Sequence, residues 1–244
     1  MELPEDEVSA IACEPWERLW ESTCEGRMWT HVGSREELPR EVVLDLRLVV
    51  ADRNPAFCTE AKRAFAPLMS SVAVSIWEGS FQDLPCSWDC IVQPADTWGR
   101  LESGLDRALM AFMGPDYEEN LRSLLTLEHG PHRRVGSSVL IDTCHPHHPW
   151  VAFTPCFGEG RTGSDPTIAG RGLAAALAAI AESNASGARR IRCVVCPGLG
   201  LYEGCCPDHI SGTADSIAVA WQSVCEGCPG ASKNPVLPSE EPRW

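Results

Sequence analysis

The chain lacks the long hydrophobic runs that membrane-spanning segments require. No part of its 244 residues approaches the eighteen or so apolar residues of a transmembrane helix. Its N-terminal MELPEDEVS is acidic, whereas a secretory signal begins with basic residues and continues with an apolar stretch. We therefore expect a soluble, intracellular protein, cytoplasmic or nuclear, that has no membrane partner.

Positive charge is also scarce. The chain has 20 Lys and Arg residues against 34 Asp and Glu residues, which gives a formal net charge of −14. An excess of negative charge opposes contact with the phosphate backbone of nucleic acids. The composition therefore argues against general nucleic-acid binding, although it leaves the oligomeric state open.

The thirteen cysteines are too few for a small disulfide scaffold, in which cysteine exceeds roughly 8–10% of the residues. Without an export signal, reduced thiols are expected. Cys193-x-x-Cys196 has the spacing of a zinc knuckle, but it lies in an apolar strand run, where residues three apart point to opposite faces. That pair is therefore predicted to be core.

Two further groups of metal-ligating residue types leave alternatives open. Cys225-x-x-Cys228 would form a four-thiolate site only if the fold brought Cys205 and Cys206 to it. The stretch from Cys144 to His148 reads CHPHH and is predicted to be an exposed polar turn between strands. His145 beside Cys144 also leaves open a cysteine nucleophile, although no cysteine has a recognisable activating partner. We expect no metal and no cofactor.

Acidic residues are concentrated at the N-terminus. The first 41 residues contain 11 acidic and 4 basic side chains, together with Trp16, Trp20 and Trp29. Trp16 and Trp20 share one helical face, which predicts a short helix docked on the main domain. We divide the chain into an acidic extension (1–41), a main domain (42–229) and an irregular tail rich in Pro, Gly and Ser (230–244).

Within the main domain, apolar runs of strand length alternate with segments of helical periodicity. The predicted strands are Val42–Val50, Val72–Trp77, Cys90–Val92, Ser137–Asp142, Trp150–Thr154 and Ile191–Cys196. The predicted helices are Ala56–Met69, Ser103–Met113, Tyr117–Leu127, Thr167–Glu182 and Asp208–Val224. This alternation predicts an α/β layered fold around a largely parallel sheet, with ligands at the carboxyl ends of its strands.

Two glycine-bearing loops join a strand to a helix in this pattern. The first loop runs from Gln93 to Asp106, and the second runs from Pro197 to Pro207. Each enters a helix N-terminus, whose free N–H groups favour anions. Together the loops are able to cradle a diphosphate, although glycines in such turns often serve only the backbone conformation. The second loop lacks both the Rossmann glycine spacing and the Lys-Ser/Thr of a P-loop.

The ordered motifs across residues 42–225 resemble those of the macro domain, the ADP-ribose-binding module, in its divergent macro-like branch. The segments that carry the resemblance are VVADRNPAF, VSIWEGSFQDL, DCIVQPADTWGRLESGLDRAL, VGSSVLIDT, WVAFTPCF and VVCPGLGLYEG. The resemblance implies a three-layer α/β/α fold with a mixed sheet and with ADP-ribose bound across its top.

The resemblance also implies a set of site residues. Ser80 and Phe81 stand where the family often has an acid that takes the adenine amino group, and Ala95-Asp96 stands where many members have Ala-Asn near the distal ribose. Gly99, Ser103 and Gly104 fit the first loop, and Gly198, Gly200 and Gly204 fit the second. Tyr202 and Cys205 replace common glycines, which predicts a remodelled pocket.

Asp106 matches the acid that follows the first-loop glycines in hydrolytic branches of the family. The resemblance therefore implies that Asp106 orients or activates a water, or a ligand hydroxyl, for attack at the anomeric carbon. An acid in the first turn of a helix also stabilises that helix through its dipole, so a purely structural role stays open.

The expected function is binding of ADP-ribose or of an ADP-ribosylated protein, with hydrolysis of ADP-ribosyl linkages as a further expectation. One alternative is a non-catalytic reader of ADP-ribosylation. Another is an interaction scaffold with a degenerate pocket, whose tryptophan-rich N-terminal segment supplies the contact surface.

Overall fold

The computed structural model describes residues 29–31, 46–69, 73–101, 103–114, 117, 121, 123, 134–143, 145, 147–148, 150–158, 165–187 and 190–226. The predicted helix around Trp16 and Trp20 and the predicted tail from residue 230 lie outside these residues. Most of the helix predicted over Tyr117–Leu127 also lies outside them, but Tyr117, Leu121 and Ser123 are helical.

The described strands form one seven-stranded mixed sheet. They are β1 (Trp29–His31), β2 (Arg47–Asp52), β3 (Val74–Glu78), β4 (Cys90–Asp96), β5 (Ser138–Asp142), β6 (Trp150–Phe157) and β7 (Cys193–Cys196), in the order β1-β5-β6-β4-β7-β2-β3. Pairing is antiparallel where β5 meets β1 and β6, and parallel elsewhere. The predicted largely parallel α/β sheet is confirmed.

Helices cover both faces of this sheet. They are α1 (Pro55–Phe65), α2 (Gly104–Met113), α3 (Thr167–Ala185) and α4 (Pro207–Glu226). One apolar cluster joins the sheet to α1, α3 and α4, and a second joins its other face to α2 and the 3-10 turn Phe81–Asp83. The architecture is therefore three-layered α/β/α. No helix in the described part of the chain is both long and apolar enough to cross a membrane.

Strand β2 shows why a continuous apolar run forms the middle of this sheet. Leu48 and Val50 pack into one cluster, and Val49 and Ala51 pack into the other. Alternate side chains of a strand point to opposite faces, so a strand covered by helices on both sides must be apolar throughout. Helix α1 begins directly afterwards because the Asn54 side chain accepts hydrogen bonds from the first backbone N–H groups of the helix.

Strand β4 is longer than its apolar run predicts. The sequence places a loop from Gln93 onward, whereas the structure continues the strand to Asp96 through pairing with β6. Pro94 is tolerated there because pairing with β7 is confined to Cys90 and Ile91, so the strand beyond that point is locally an edge. The pocket-facing residues Ala95 and Asp96 are consequently held by the sheet.

The sheet also takes in part of the segment that the charge pattern assigned to the acidic extension. Residues Trp29–His31 pair antiparallel with Ser138–Leu140 of β5 and form one end of the strand order. Strand pairing uses backbone N–H and C=O groups and does not depend on the net charge of the segment. The charge pattern therefore could not reveal this strand.

Candidate functional site

One cavity of about 630 Å³ opens at the carboxyl ends of β2, β4, β6 and β7. Both glycine-bearing loops contribute to its wall, as do the turn after β2 and the turn after β3. The lining residues are Asp52, Arg53, Asn54, Gly79, Ser80, Phe81, Pro94, Ala95, Asp96, Arg100, Ser103, Gly104, Leu105, Asp106, Arg107, Ala108, Phe157, Pro197, Gly198, Leu201, Tyr202 and Glu203.

The cavity brings together nine of the residues singled out from the sequence: Ser80, Phe81, Ala95, Asp96, Ser103, Gly104, Asp106, Gly198 and Tyr202. Four others, Gly99, Gly200, Gly204 and Cys205, lie in the same loops but outside its lining. The three glycines have left-handed backbone angles, with φ of 72°, 76° and 86°. They shape the turns that carry the wall rather than forming the wall itself.

The Asp96 carboxylate is held by hydrogen bonds to residues of the first loop. Its carboxylate Oδ1 accepts hydrogen bonds from the backbone N–H groups of Trp98 (2.8 Å) and Arg100 (3.1 Å), and its Oδ2 accepts from Arg100 Nε (2.9 Å). The residue is only 4% exposed. The Arg100 guanidinium and the two N–H groups therefore offset the negative charge that Asp96 brings to the pocket.

Asp106 holds the start of α2 through a reciprocal capping box. Its Oδ2 accepts the Ser103 backbone N–H at 2.8 Å, and its own N–H donates to Ser103 Oγ at 3.2 Å. Asp106 Oδ1 accepts from Gln93 Nε2 at 2.9 Å, and the Tyr117 hydroxyl donates to Gln93 Oε1 at 2.9 Å. Both carboxylate oxygens of this 2% exposed residue are therefore engaged in a buried chain of side chains.

Burial raises the pKa of the Tyr117 hydroxyl, and the nearby Asp106 carboxylate adds to the effect. Tyr117 therefore stays a neutral donor to Gln93 at physiological pH. This fixes the orientation of the Gln93 amide, whose N–H group then faces Asp106.

Asp52, which the sequence reasoning missed, ties the second loop to the end of β2. Its Oδ2 accepts the Gly198 backbone N–H at 2.9 Å, and its Oδ1 accepts the Asn54 backbone N–H at 2.8 Å. A Cβ on Gly198 would lie 2.3 Å from Leu201 Cδ1 and 3.1 Å from Asp52 Oδ2. A side chain at position 198 would therefore displace Leu201 and press on the carboxylate that accepts the Gly198 N–H. The available signal was an acid at the end of a buried strand, two residues before the Asn-Pro at which a helix starts.

The second loop closes around Tyr202 and Cys205. The Tyr202 N–H donates to Cys205 Sγ at 3.2 Å, and the Cys205 N–H donates to the Tyr202 carbonyl at 3.2 Å. The exposed Tyr202 ring meets the His209 ring edge to face, with centroids 5.8 Å apart. Cys205 therefore holds the turn that presents Tyr202 at the cavity.

At the other side of the cavity, Ser80 begins the short turn after β3. Its hydroxyl accepts the Gln82 N–H at 3.3 Å and is also 3.3 Å from Gln82 Oε1. The Phe81 ring contacts Trp88 and Phe112 edge to face, with centroids 6.0 and 5.5 Å away. This segment therefore presents a fixed aromatic wall with no carboxylate at position 80.

The cysteine spacings do not assemble a metal site among the described residues. Cys193 and Cys196 belong to the apolar clusters on opposite faces of the sheet, as their strand spacing predicts. Burial raises the pKa of Cys193 to about 12, which disfavours the thiolate that zinc requires. The four-thiolate alternative is wrong, because 18 residues of α4 separate Cys206 from Cys225; Cys228 lies outside the described residues. At about 1.5 Å per residue, that helix is roughly 30 Å long.

Two of the three histidines of the turn between β5 and β6 are less exposed than predicted: His145 and His148 are partly buried, whereas His147 is exposed. The His148 ring stacks on Trp88, with centroids 3.9 Å apart, and its Nδ1 lies 2.9 Å from the Trp88 carbonyl. His145 stacks on Phe112, with centroids 5.5 Å apart, and its Nδ1 accepts the His148 backbone N–H at 3.1 Å. Apolar ring contact therefore stabilises a turn that the sequence presents as polar.

Acidification is expected to destabilise this turn. Burial lowers the pKa of His145 below its ordinary 6.5, and the neighbouring His148 and His147 lower it further. The unfolded chain therefore takes up the proton first, and stability falls as pH decreases from 6.5 through the folded pKa. His145→Asn keeps a side-chain acceptor without titrating, so it should lose less free energy of unfolding between neutral and mildly acidic pH. Urea denaturation at stepped pH measures this, and equal losses in both proteins would contradict it.

Solved structures similar to this chain include macrodomains. The macrodomain of Mycobacterium tuberculosis DarG is 16% identical, with a TM-score of 0.45, over 60% of this chain and 89% of that one. The macrodomain of Thermus aquaticus DarG is 16% identical, with a TM-score of 0.45, over 59% and 87%. The Oceanobacillus iheyensis macrodomain with MES bound is 10% identical, with a TM-score of 0.36, over 81% and 98%.

No protein-family model and no curated protein matches this chain by sequence. At these identities and TM-scores, the structural similarity assigns no residue a function. The functional residues of this chain therefore have to be argued from its own geometry.

Proposed function

We propose that this chain binds ADP-ribose, free or attached to a protein, in the cavity at the carboxyl ends of its strands. One observation carries the proposal: both glycine-bearing strand-to-helix loops, which are far apart in the chain, line a single cavity. Its volume of about 630 Å³ lies within the roughly 300–1,000 Å³ of small-molecule sites. The modified proteins would be met in the cytoplasm or nucleus.

The start of α2 supplies hydrogen-bond donors suited to a diphosphate. The capping box uses the backbone N–H groups of Ser103 and Asp106. Gly104 and Leu105 also line the cavity, and no described residue accepts a hydrogen bond from their N–H groups. Free N–H groups and the positive end of the helix dipole favour an anion at this position.

Apolar side chains of the wall suit the base and the ribose rings. Phe81 is held by its contacts with Trp88 and Phe112, while Leu201 lies on the second loop. A mostly apolar wall with a few fixed polar groups is the usual composition of a small-molecule site. This wall favours ligand binding over a scaffold with a degenerate pocket.

Hydrolysis of an ADP-ribosyl linkage is the second candidate, favoured by the place of Asp106 in the wall. Each oxygen of an ionised carboxylate has two lone-pair directions, and each Asp106 oxygen accepts one hydrogen bond from the protein. On each oxygen, one lone-pair direction is not used by the described residues, and a water or a ligand hydroxyl would bind there. A non-catalytic reader would use the same pocket without this step, so turnover separates the two.

The direct test is isothermal titration of the full chain with ADP-ribose, with AMP and ribose 5-phosphate as controls. We expect a micromolar dissociation constant, which corresponds to about −8 kcal/mol at 1 μM. Each control ligand carries only part of the diphosphate and its two flanking groups, so each should bind more weakly. No heat with any of the three ligands, on protein shown to be folded, would overturn the proposal and favour the scaffold.

A further inference from the structure

The cavity wall contains two arginines whose charges are not paired with any described residue. Arg53 follows β2, and Arg107 lies in the first turn of α2; both line the cavity. Neither guanidinium has an ion-pair or hydrogen-bond partner among the described residues, whereas Arg100 is committed to Asp96. Two cations with no partner in the described part of the chain are therefore available for an anion on the ligand.

The acids of the same wall are mostly satisfied from within the protein. The Asp52, Asp96 and Asp106 carboxylates each accept at least one backbone N–H, and Asp96 also has its arginine. Glu203, which is exposed on the second loop, is the remaining acid of the lining. Internal hydrogen bonds therefore offset much of the negative charge that would otherwise neutralise Arg53 and Arg107.

The two arginines belong to the elements on either side of the Phe81 wall. The carbonyl oxygen of Asp52, the neighbour of Arg53, accepts the Gly79 N–H at 2.8 Å. Helix α2, which carries Arg107, contacts Phe81 through Phe112. The diphosphate donors lie at the first residues of α2. Arg107 thus shares the first turn of α2 with the diphosphate donors, and Arg53 lies beside the residue that is hydrogen-bonded to the turn before Phe81. The two arginines therefore belong to elements that border the space between the diphosphate and the aromatic wall, which the adenosine ribose would occupy.

We infer that Arg53 and Arg107 form a second anion subsite, and that the preferred ligand is ADP-ribose carrying an additional phosphate on its adenosine ribose. This inference rests on the proposed function. An acid beside an adenosine ribose accepts hydrogen bonds from its hydroxyls and repels a phosphate there, whereas an arginine accommodates one. The described wall has Ser80, whose hydroxyl is bonded to Gln82, and two arginines in this region. Guanidinium groups bind phosphate through paired, charge-assisted hydrogen bonds.

The test compares dissociation constants for ADP-ribose, its 2′-phosphate, its 3′-phosphate and its 1″-phosphate by isothermal titration of the full chain. We expect the 2′- or the 3′-phosphate to bind at least about tenfold more tightly than ADP-ribose at low salt. Only the added phosphate would make charge-assisted hydrogen bonds with the two guanidinium groups. The advantage should shrink as salt rises, because both guanidinium groups are exposed to screening. The two adenosine-side isomers identify which hydroxyl bears the phosphate.

The matched variants are Arg53→Gln and Arg107→Gln, with Arg47→Gln as the charge control. Arg47 is an exposed arginine at the opposite end of β2 from Asp52, outside the cavity lining. The quantity to compare is the dissociation constant for ADP-ribose divided by that for the preferred adenosine-side phosphate. Each pocket variant should reduce this ratio, and the double variant should bring it to within about twofold of unity. Arg47→Gln changes the net charge equally and should leave the ratio as in the unmodified chain.

Four outcomes decide between the inference and the proposed function. Preference for an adenosine-side phosphate that both pocket variants reduce supports the inference. ADP-ribose binding with no gain from any added phosphate overturns the inference and leaves the proposed function standing. A gain only from the 1″-phosphate, or one that survives in the double variant, overturns the assignment to these arginines. Binding of none of the four ligands overturns both.

Discussion

Replacing Asp106 with alanine is expected to lower the free energy of unfolding by about 2–4 kcal/mol, because it leaves two buried donors unpaired at about 1–3 kcal/mol each. The donors are Ser103 N–H and Gln93 Nε2. Loss of activity in Asp106→Ala would therefore not separate a catalytic role from a structural one. Chemical denaturation measures the stability change, and a loss below 1 kcal/mol would contradict the capping and amide contacts described for Asp106.

Asp106→Asn is the matched control. Its Oδ1 is able to accept the Ser103 N–H, and its amide N–H group is able to donate to Gln93 Oε1 if the Gln93 amide reverses. The Tyr117 hydroxyl then accepts from Gln93 Nε2 instead of donating to Gln93 Oε1. Each of the three pairs stays hydrogen-bonded, but the Tyr117 O–H loses its described acceptor. We therefore expect a cost of about 1–2 kcal/mol, smaller than that of Asp106→Ala.

The Asp106→Asn variant also tests the proposed hydrolysis. Asp106→Asn should bind ADP-ribose within about tenfold of the unmodified chain, that is within 1.4 kcal/mol. It should also lose any de-ADP-ribosylation, because the neutral amide no longer orients or activates the attacking group. Unchanged turnover in this folded variant would remove Asp106 from the mechanism and leave it as the residue that fixes the start of α2.

Gly198→Ala is expected to weaken ADP-ribose binding by at least about tenfold, equal to 1.4 kcal/mol. The new Cβ would lie 2.3 Å from Leu201 Cδ1, so Leu201, itself part of the wall, must move. The same Cβ is tight against Asp52 Oδ2, which accepts the Gly198 N–H. The second loop therefore shifts relative to β2, and titration with ADP-ribose measures the effect.

Gly158→Ala provides the control for this substitution. Gly158 directly follows β6, and an added Cβ there meets no described residue within 4 Å. It carries the same chemical change near the cavity without displacing the wall, so its affinity should match that of the unmodified chain. An affinity for Gly198→Ala equal to that of Gly158→Ala would show that the position of the second loop is unimportant for the ligand.

Several features of the protein were determined locally and could be predicted from the sequence. The apolar residues of β2 and the helical spacing of α1 correctly indicated a buried strand followed by a helix. The opposite faces of Cys193 and Cys196 follow from their separation of three in a strand. These predictions succeeded because backbone periodicity depends on residues within a few positions of each other.

Other features depended on residues far apart in the chain, and only the tertiary structure decided them. Asp52 supports Gly198 across 146 residues, and the His148 ring nitrogen meets the Trp88 carbonyl across 60. No local pattern marks such partners, because a hydrogen bond or ring contact needs only proximity, which the strand order creates.

The sequence by itself determined an acidic α/β chain with two glycine-bearing strand-to-helix loops. The tertiary structure decided that these loops share one cavity and that the acids Asp96 and Asp106 are held by hydrogen bonds. It also decided that Arg53 and Arg107 line the cavity without an ion-pair partner among the described residues. The physical reason is that the charge of a side chain is set by its residue type, whereas its availability to a ligand depends on which partners the fold brings within hydrogen-bond distance.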